Sequence, residues 1–191
     1  MNARLIRRIA VATGALGLAG GLGAGGAPSA SAGTDAYFQI AGSGLSVSEP
    51  SASGGVSLGS ASAGSLTLSG NLGDVAVTDN RALPLSLAVW TATVSSTEFV
   101  RDGAAATPAA NEKVAKANIA YSAGAPSVQN GGVFTGGTVA SMDLPDELRV
   151  AGAFVGVGGV SAVTWDPTVT FTLLSSQVAG TYRGTITHSV A

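Results

Sequence analysis

The chain has 191 residues, of which 46% are apolar and only 10% are charged, so it can bury a core and is not a disordered acidic tail. It contains no cysteine and one histidine, which excludes disulfide scaffolds, thiol catalysis and Cys/His zinc sites. Nine basic residues stand against 11 acidic ones, with no Lys/Arg cluster, and this balance argues against nucleic-acid binding.

The first 32 residues have the three parts of an export signal. A basic start precedes an apolar run of about 14 residues (9–22), which is too short to span a bilayer comfortably. Small residues at 30–32 form the site that a signal peptidase needs, so cleavage is predicted between Ala32 and Gly33; an uncleaved membrane anchor is the alternative. The mature chain then loses three of nine basic residues and keeps all 11 acidic ones, for a net charge of about −5. We expect a single secreted domain without a membrane span.

Residues 33–64 are rich in Ser and Gly. The pattern allows two edge strands, around Phe38–Ile40 and Leu45–Val47, or a flexible leader. Residues 55–59 (GVSLG) also match the G-x-S-x-G string of serine hydrolases. That string needs a strand that delivers the serine onto a tight turn before a helix, and no helical pattern follows Ser57. We attribute the match to the abundance of Gly and Ser.

Residues 65–191 alternate between apolar and polar side chains with a period of two, which is typical of strands with one buried face. The segments Trp165–Leu173 and Thr181–Val190 are each predicted to form one such strand. Ala104–Lys116 is helix-friendly but is interrupted by Pro108, so a loop with at most one turn is predicted. Gly and Pro clusters separate roughly nine or ten short strands. These features predict an all-β fold, a single antiparallel β-sandwich of the immunoglobulin-like, Greek-key type.

The titratable residues favour neither catalysis nor metal binding. His188 is the one ready general base near neutral pH, but its apolar neighbours on the inward face of the strand favour a packed, hydrogen-bonded histidine. Asp143, Asp146 and Glu147 form an acidic group beside Pro145 without the regular spacing of a calcium loop, so a solvated loop is the simpler interpretation. A cleft that gathers His188 with a hydroxyl and a carboxylate would contradict this non-enzymatic interpretation.

Three aromatic residues are candidates for structural or binding roles. Tyr182 follows Ala-Gly-Thr and resembles a tyrosine corner, in which the phenol hydrogen-bonds back to a nearby loop. Trp90 and Trp165 are the candidates for a sugar-stacking platform. Both alternate onto the apolar side of their strands, which favours packing in the core.

The order of four segments resembles the WxL-domain proteins of Gram-positive bacteria. The segments are Asp74–Arg81, Trp90–Ser95, Ala117–Tyr121 and Val178–Thr187. The resemblance covers about residues 66–191. Proteins of that family are secreted, and their C-terminal domain carries two Trp-x-Leu motifs and associates non-covalently with the cell wall, at peptidoglycan.

This chain departs from both motifs. The first maps to Trp90–Ala92, with Ala in place of Leu, and the second to His188–Val190, with His in place of Trp and Val in place of Leu. Both changes keep the inward positions roughly apolar, whereas His188 weakens wall binding if the family's tryptophans contact the wall. The positions to which the resemblance gives a structural or wall-contact role are Trp90, Ala92, Trp165, Tyr182, His188 and Val190.

The resemblance implies a divergent, non-enzymatic protein of the cell surface that needs no cofactor and has peptidoglycan as its partner. The alternative is a secreted structural or adhesive module that binds other surface proteins through its sheet edges. A secreted hydrolase that acts through His188 or Ser57 is a third possibility.

Overall fold

The computed structural model describes residues 44–50, 55–81, 87–157 and 159–191. The predicted signal segment, its cleavage site at Ala32 and Gly33, and the strand expected around Phe38–Ile40 lie outside these ranges. In the part described, no helix is long and apolar enough to cross a membrane.

The described residues form 15 strands and three short 3₁₀ helices. The strands are β1 (Leu45–Ser48), β2 (Thr67–Asn71), β3 (Val75–Asp79), β4 (Leu87–Ser96), β5 (Phe99–Arg101), β6 (Lys113–Val114), β7 (Ile119–Ser122), β8 (Pro126–Asn130), β9 (Gly132–Gly136), β10 (Thr138–Val139), β11 (Val150–Val157), β12 (Ser161–Trp165), β13 (Thr168–Thr172), β14 (Tyr182–Arg183) and β15 (Ile186–Val190). The 3₁₀ helices are Ala110–Glu112, Lys116–Asn118 and Asp146–Leu148. The all-β prediction is confirmed.

The strands pair into four antiparallel sheets. Sheet A has the order β1-β3-β12-β8, sheet B has β10-β7-β13-β2, sheet C has β15-β4-β11-β9, and sheet D has β14-β5-β6. Buried apolar residues from all four sheets form one cluster; Val75, Ile119, Trp90 and Phe99 represent sheets A, B, C and D in turn. Such a shared core follows from strands that each bury one face.

The edge strand predicted around Leu45–Val47 is present as β1. It pairs with β3 at the edge of sheet A, with Val47 opposite Val77. Leu45 and Val47 pack against the core. This part of the Ser/Gly-rich segment therefore belongs to the sheet structure.

The prediction that Trp165–Leu173 forms one strand is wrong. β12 ends at Trp165 in sheet A, and β13 begins at Thr168 in sheet B. Pro167 has no N–H to donate to a ladder, and the carboxylate of Asp166 accepts hydrogen bonds from the Gly73 N–H (2.9 Å) and the Asn71 amide (2.9 Å). These bonds fix a corner where the chain passes from one sheet to the next.

Thr181–Val190 is also two strands rather than one. β14 pairs with β5 in sheet D, whereas β15 pairs with β4 in sheet C. The break between β14 and β15 lies opposite the break between their partner strands, β5 and β4. There the Thr97 N–H donates to the Thr185 carbonyl oxygen, and the Thr185 N–H donates to the Thr97 hydroxyl oxygen, both at 2.9 Å. The predicted inward direction of His188 is nevertheless observed, because the side chain is buried.

The helix-friendly stretch Ala104–Lys116 contains one 3₁₀ turn, Ala110–Glu112, followed by the short strand β6. A second turn starts at Lys116. The expectation of a loop with at most one turn therefore holds for residues 104–112, whereas strand β6 was not expected.

Aromatic rings fill the centre of the core. Trp90 stacks on Phe154 with ring centroids 5.2 Å apart, and Phe134 stacks on Trp165 at 4.9 Å. Gly152 in β11 leaves room for this packing, because a Cβ atom there would lie 2.2 Å from the ring of Phe134. Glycine thus makes room for a core side chain inside a strand, in addition to separating strands.

Candidate functional site

A chain of hydrogen bonds runs from the surface into the core. The Glu49 carboxylate lies 2.7 Å from His188 Nδ1, and His188 Nε2 lies 3.0 Å from the hydroxyl of Tyr121. That hydroxyl also accepts a hydrogen bond from the indole N–H of Trp165, at 2.8 Å. The four residues come from the segment after β1 and from β15, β7 and β12, so the polar chain joins sheets A, B and C.

One protonation state satisfies every group in this chain. A neutral imidazole with its proton on Nδ1 donates to Glu49 and accepts from the Tyr121 hydroxyl, which in turn accepts from Trp165. Burial lowers the pKa of His188, and the hydrogen bond and charge of Glu49 oppose this effect only in part. Burial also raises the pKa of Tyr121 well above its ordinary value. Both rings are therefore uncharged at neutral pH.

The order carboxylate, imidazole, hydroxyl is that of a general-base arrangement, but it lies in the interior and not in a cleft. The His188 side chain is 0% exposed, and Tyr121 is buried as well. The hydroxyl belongs to a phenol that is already hydrogen-bonded on both sides. A substrate has no approach to these atoms, so the arrangement acts as a structural bridge, and Glu49 alone of the four is appreciably exposed.

The two family-motif segments lie side by side. β4 and β15 pair antiparallel, with His188 opposite Val94 and Val190 opposite Ala92. Trp90, Ala92 and His188 are buried, and Val190 is half-buried. Three of these four motif positions therefore offer no side chain to a ligand at the surface.

Trp165 is fully buried as well. The packing of both tryptophans in the core, favoured over a sugar-stacking platform, is confirmed.

Tyr182 makes the hydrogen bond that its sequence context predicts. Its hydroxyl lies 2.6 Å from the carbonyl oxygen of Val178 and 3.1 Å from that of Asn111. The ring therefore fixes the approach to β14 against the 3₁₀ helix Ala110–Glu112.

An open groove of about 530 Å³ lies beside this tyrosine. Residues 55–65 form one wall and residues 177–183 the other, and Phe99, Val114 and Phe171 contribute to an apolar floor. Serine hydroxyls and backbone groups dominate the first wall. Among the described lining residues, Arg183 is the one that carries a charge.

A close approach of two backbone segments places the first wall. The Leu58 carbonyl oxygen passes so near Gly70 in β2 that a Cβ atom there would lie 2.0 Å from it. Leu58 itself packs against the core. Glycine at position 70 therefore lets residues 55–65 cross β2.

The GVSLG string lies in this wall. Ser57 is exposed, no helix lies between it and β2, and its hydroxyl accepts a hydrogen bond from the Gly59 N–H at 3.4 Å. No bond joins Ser57 to His188 among the contacts described. The string lacks the strand–turn–helix that a nucleophilic serine requires.

The three carboxylates of the acidic group are exposed and do not point to a common site. Asp143, Asp146 and Glu147 lie at the surface, and Asp146 pairs with Arg149. In the described ranges, no three Asp, Glu or His residues lie close enough to hold a metal ion.

Sequence reasoning missed the structural roles of two carboxylates. Asp79 is fully buried, and Arg81 donates to both of its oxygens, at 2.9 and 2.8 Å. This hydrogen-bonded guanidinium lowers the pKa of Asp79 despite burial. The signal was present, because Asp79 follows Val75 and Val77 on the inward face of β3. Glu49 had no such signal, since its partner His188 is distant in sequence.

Comparisons of this chain with protein-family models, curated proteins and solved structures find no match. The functional assignment therefore depends on the residues and the geometry described above.

Proposed function

We propose that this chain is a secreted, non-enzymatic protein of the bacterial cell surface that associates non-covalently with the cell wall, as WxL-domain proteins do. The observation that carries the proposal is the pairing of the two motif segments. They are far apart in the sequence, yet β4 and β15 are neighbours, and Trp90 and His188 are both buried. If both motifs serve to pack the core of the domain, their segments are expected to lie next to each other, as β4 and β15 do. The export-signal pattern of residues 1–32 supplies the route to the surface.

We also propose that the four sheets form one antiparallel sandwich of the immunoglobulin-like type. The single core cluster that draws on every sheet supports this arrangement. The tyrosine-corner hydrogen bond of Tyr182 is a feature of such Greek-key folds and supports it further.

The groove beside Tyr182 is the surface that we assign to the wall polymer, because the motif side chains are buried. Its size suits a segment of an extended chain. Serine hydroxyls and backbone groups along residues 55–65 offer hydrogen bonds to sugar hydroxyls and amides. A nearly uncharged lining fits the neutral sugar backbone of peptidoglycan.

Fractionation of expressing cells tests this proposal. We expect the wild-type chain in the wall fraction, released by denaturant and not by membrane extraction. Ser60→Trp places a bulky ring in the groove at an exposed position that makes none of the hydrogen bonds described, so it should move the protein into the medium. Thr107→Trp, at an exposed loop position that does not line the groove and makes none of the hydrogen bonds described, is the matched control and should stay with the wall.

Wild-type protein found only in the medium would contradict wall association. Wall-bound Ser60→Trp at the wild-type level would leave the association standing and refute the groove as its site.

A second candidate function is adhesion to other surface proteins through a sheet edge. β8 forms one edge of sheet A, and four of its five residues are exposed. Exposed edge strands can pair with a strand of another protein. Crosslinking of a defined partner in cells, with wall association absent, would favour this function.

A further inference from the structure

The outer face of sheet C carries a row of exposed valines. Val155 in β11 lies opposite Val89 in β4 on one side and opposite Val133 in β9 on the other. The three side chains are 50%, 50% and 62% exposed, in that order. Because adjacent strands are about 4.8 Å apart, the valines form an apolar stripe about 10 Å long.

The remainder of this face is small and uncharged. Thr91, Ala153 and Thr135 form the next row in the same register. The other outward positions whose side chains are described on β4, β9, β11 and β15 are threonine or serine, except for the half-buried Val150, which pairs with Thr93. Most of these residues are β-branched and so present an even surface of methyl groups and hydroxyls.

The charge of the chain makes this face suited to a second copy. The chain carries a net charge of −2, and about −5 after removal of the predicted signal. Two copies that meet through charged surfaces bring like charges together, and burial of a charge is costly. Contact through the outer face of sheet C desolvates no charged side chain among the positions described, so the cost of burying a charge is avoided.

The extent of the face sets the strength of the contact. β4 has 10 residues, β11 has 8, and β9 and β15 have 5 each, so the sheet is roughly 19 Å wide and on average about 24 Å long. Two copies would remove roughly 1,000 Å² in total from water, which is at the lower limit of specific interfaces. Interfaces of this size are typical of weak, transient complexes, so a weak dimer is expected.

We propose that two copies of this chain dock face to face through sheet C, with the row Val89–Val155–Val133 of one copy against the same row of its partner. The contact is isologous, as in most homodimers. A sugar polymer is less well suited to this face, because no aromatic ring is exposed on its described positions for stacking.

Sedimentation velocity of the purified chain from about 5 to 500 µM tests the proposal. The wild type should change from monomer to dimer over this range. Val155→Lys opposes two cations at the centre of the contact and should raise the dimer dissociation constant at least tenfold. Val128→Lys on β8 is the matched control, because Val128 is 52% exposed and belongs to sheet A; it should dimerise like the wild type.

Val133→Lys provides a second variant in the row, and thermal unfolding checks that each variant is folded. A wild type that stays monomeric at every concentration overturns the proposal. So does a dimer that neither Val155→Lys nor Val133→Lys weakens, or one that Val128→Lys weakens equally. Because no wall material is present, the result is independent of the proposed wall association.

Discussion

Tyr121→Phe removes the one oxygen atom that satisfies two buried groups. The indole N–H of Trp165 donates to it at 2.8 Å, and His188 Nε2 accepts from it at 3.0 Å. Phenylalanine keeps the ring and its packing but leaves a buried donor and a buried acceptor unpaired. An unpaired buried polar group costs about 1–3 kcal/mol, so the loss of two partners should lower the free energy of unfolding by about 2–6 kcal/mol.

Urea unfolding at pH 7.5, followed by tryptophan fluorescence, measures this loss. Tyr182→Phe is the matched control. The hydroxyl of Tyr182 is only partly buried and bonds to backbone carbonyls of Val178 and Asn111, so its removal should cost about 0.5–1.5 kcal/mol. If Tyr121→Phe is no more destabilising than Tyr182→Phe, the buried polar chain does not hold the sheets together as described.

Three further predictions concern pH, a buried ion pair and a glycine. Because the pKa of His188 is lowered in the folded protein, the unfolded chain takes up a proton at a higher pH than the folded chain does, and stability should fall as the pH drops below about 6.5. Urea midpoints measured from pH 7.5 to 5.5 should show this fall for the wild type and not for His188→Gln. Asp79→Asn should lower the free energy of unfolding by about 1–3 kcal/mol; the cost is limited because Arg81 keeps part of its contact with solvent. The wild type should lose stability as the pH falls below 3.8, since the folded state keeps Asp79 ionised, and the variant should not show this loss; thermal melts measure both effects. Gly152→Ala should destabilise by about 1–3 kcal/mol, since the new Cβ atom meets the ring of Phe134; an unchanged melting temperature would contradict the packing.

Local alternation was sufficient to predict which side chains point inward. Trp90, Trp165 and His188 are buried as predicted, because side-chain direction in a strand depends only on the parity of the position. The same rule places Asp79 on the inward face with Val75 and Val77, but it was applied only to the apolar residues of this strand.

The sequence pattern could not predict where strands change sheets. Alternation continues through Asp166 and through Thr185, although the chain turns at both places. The turns depend on partners distant in the sequence, such as the Gly73 N–H and Thr97. For the same reason, the contact between Glu49 and His188 had no local signal.

The groove could not be predicted either. It exists because residues 55–65 cross β2 at Gly70, and glycine in a Ser/Gly-rich chain gives no indication of which strand lies beneath it. The sequence therefore predicted the class of fold and the core, while the surface that we assign to the wall emerged from the tertiary structure.

Co-sedimentation of the purified chain with purified peptidoglycan tests the central claim most directly. The account predicts saturable depletion of the chain from the supernatant, with the tryptophan emission of the bound protein unchanged because both indoles are buried. A chain that stays in the supernatant at every peptidoglycan concentration would contradict wall association. Bound protein with a shifted tryptophan emission would contradict the claim that the contact is made outside the motif residues.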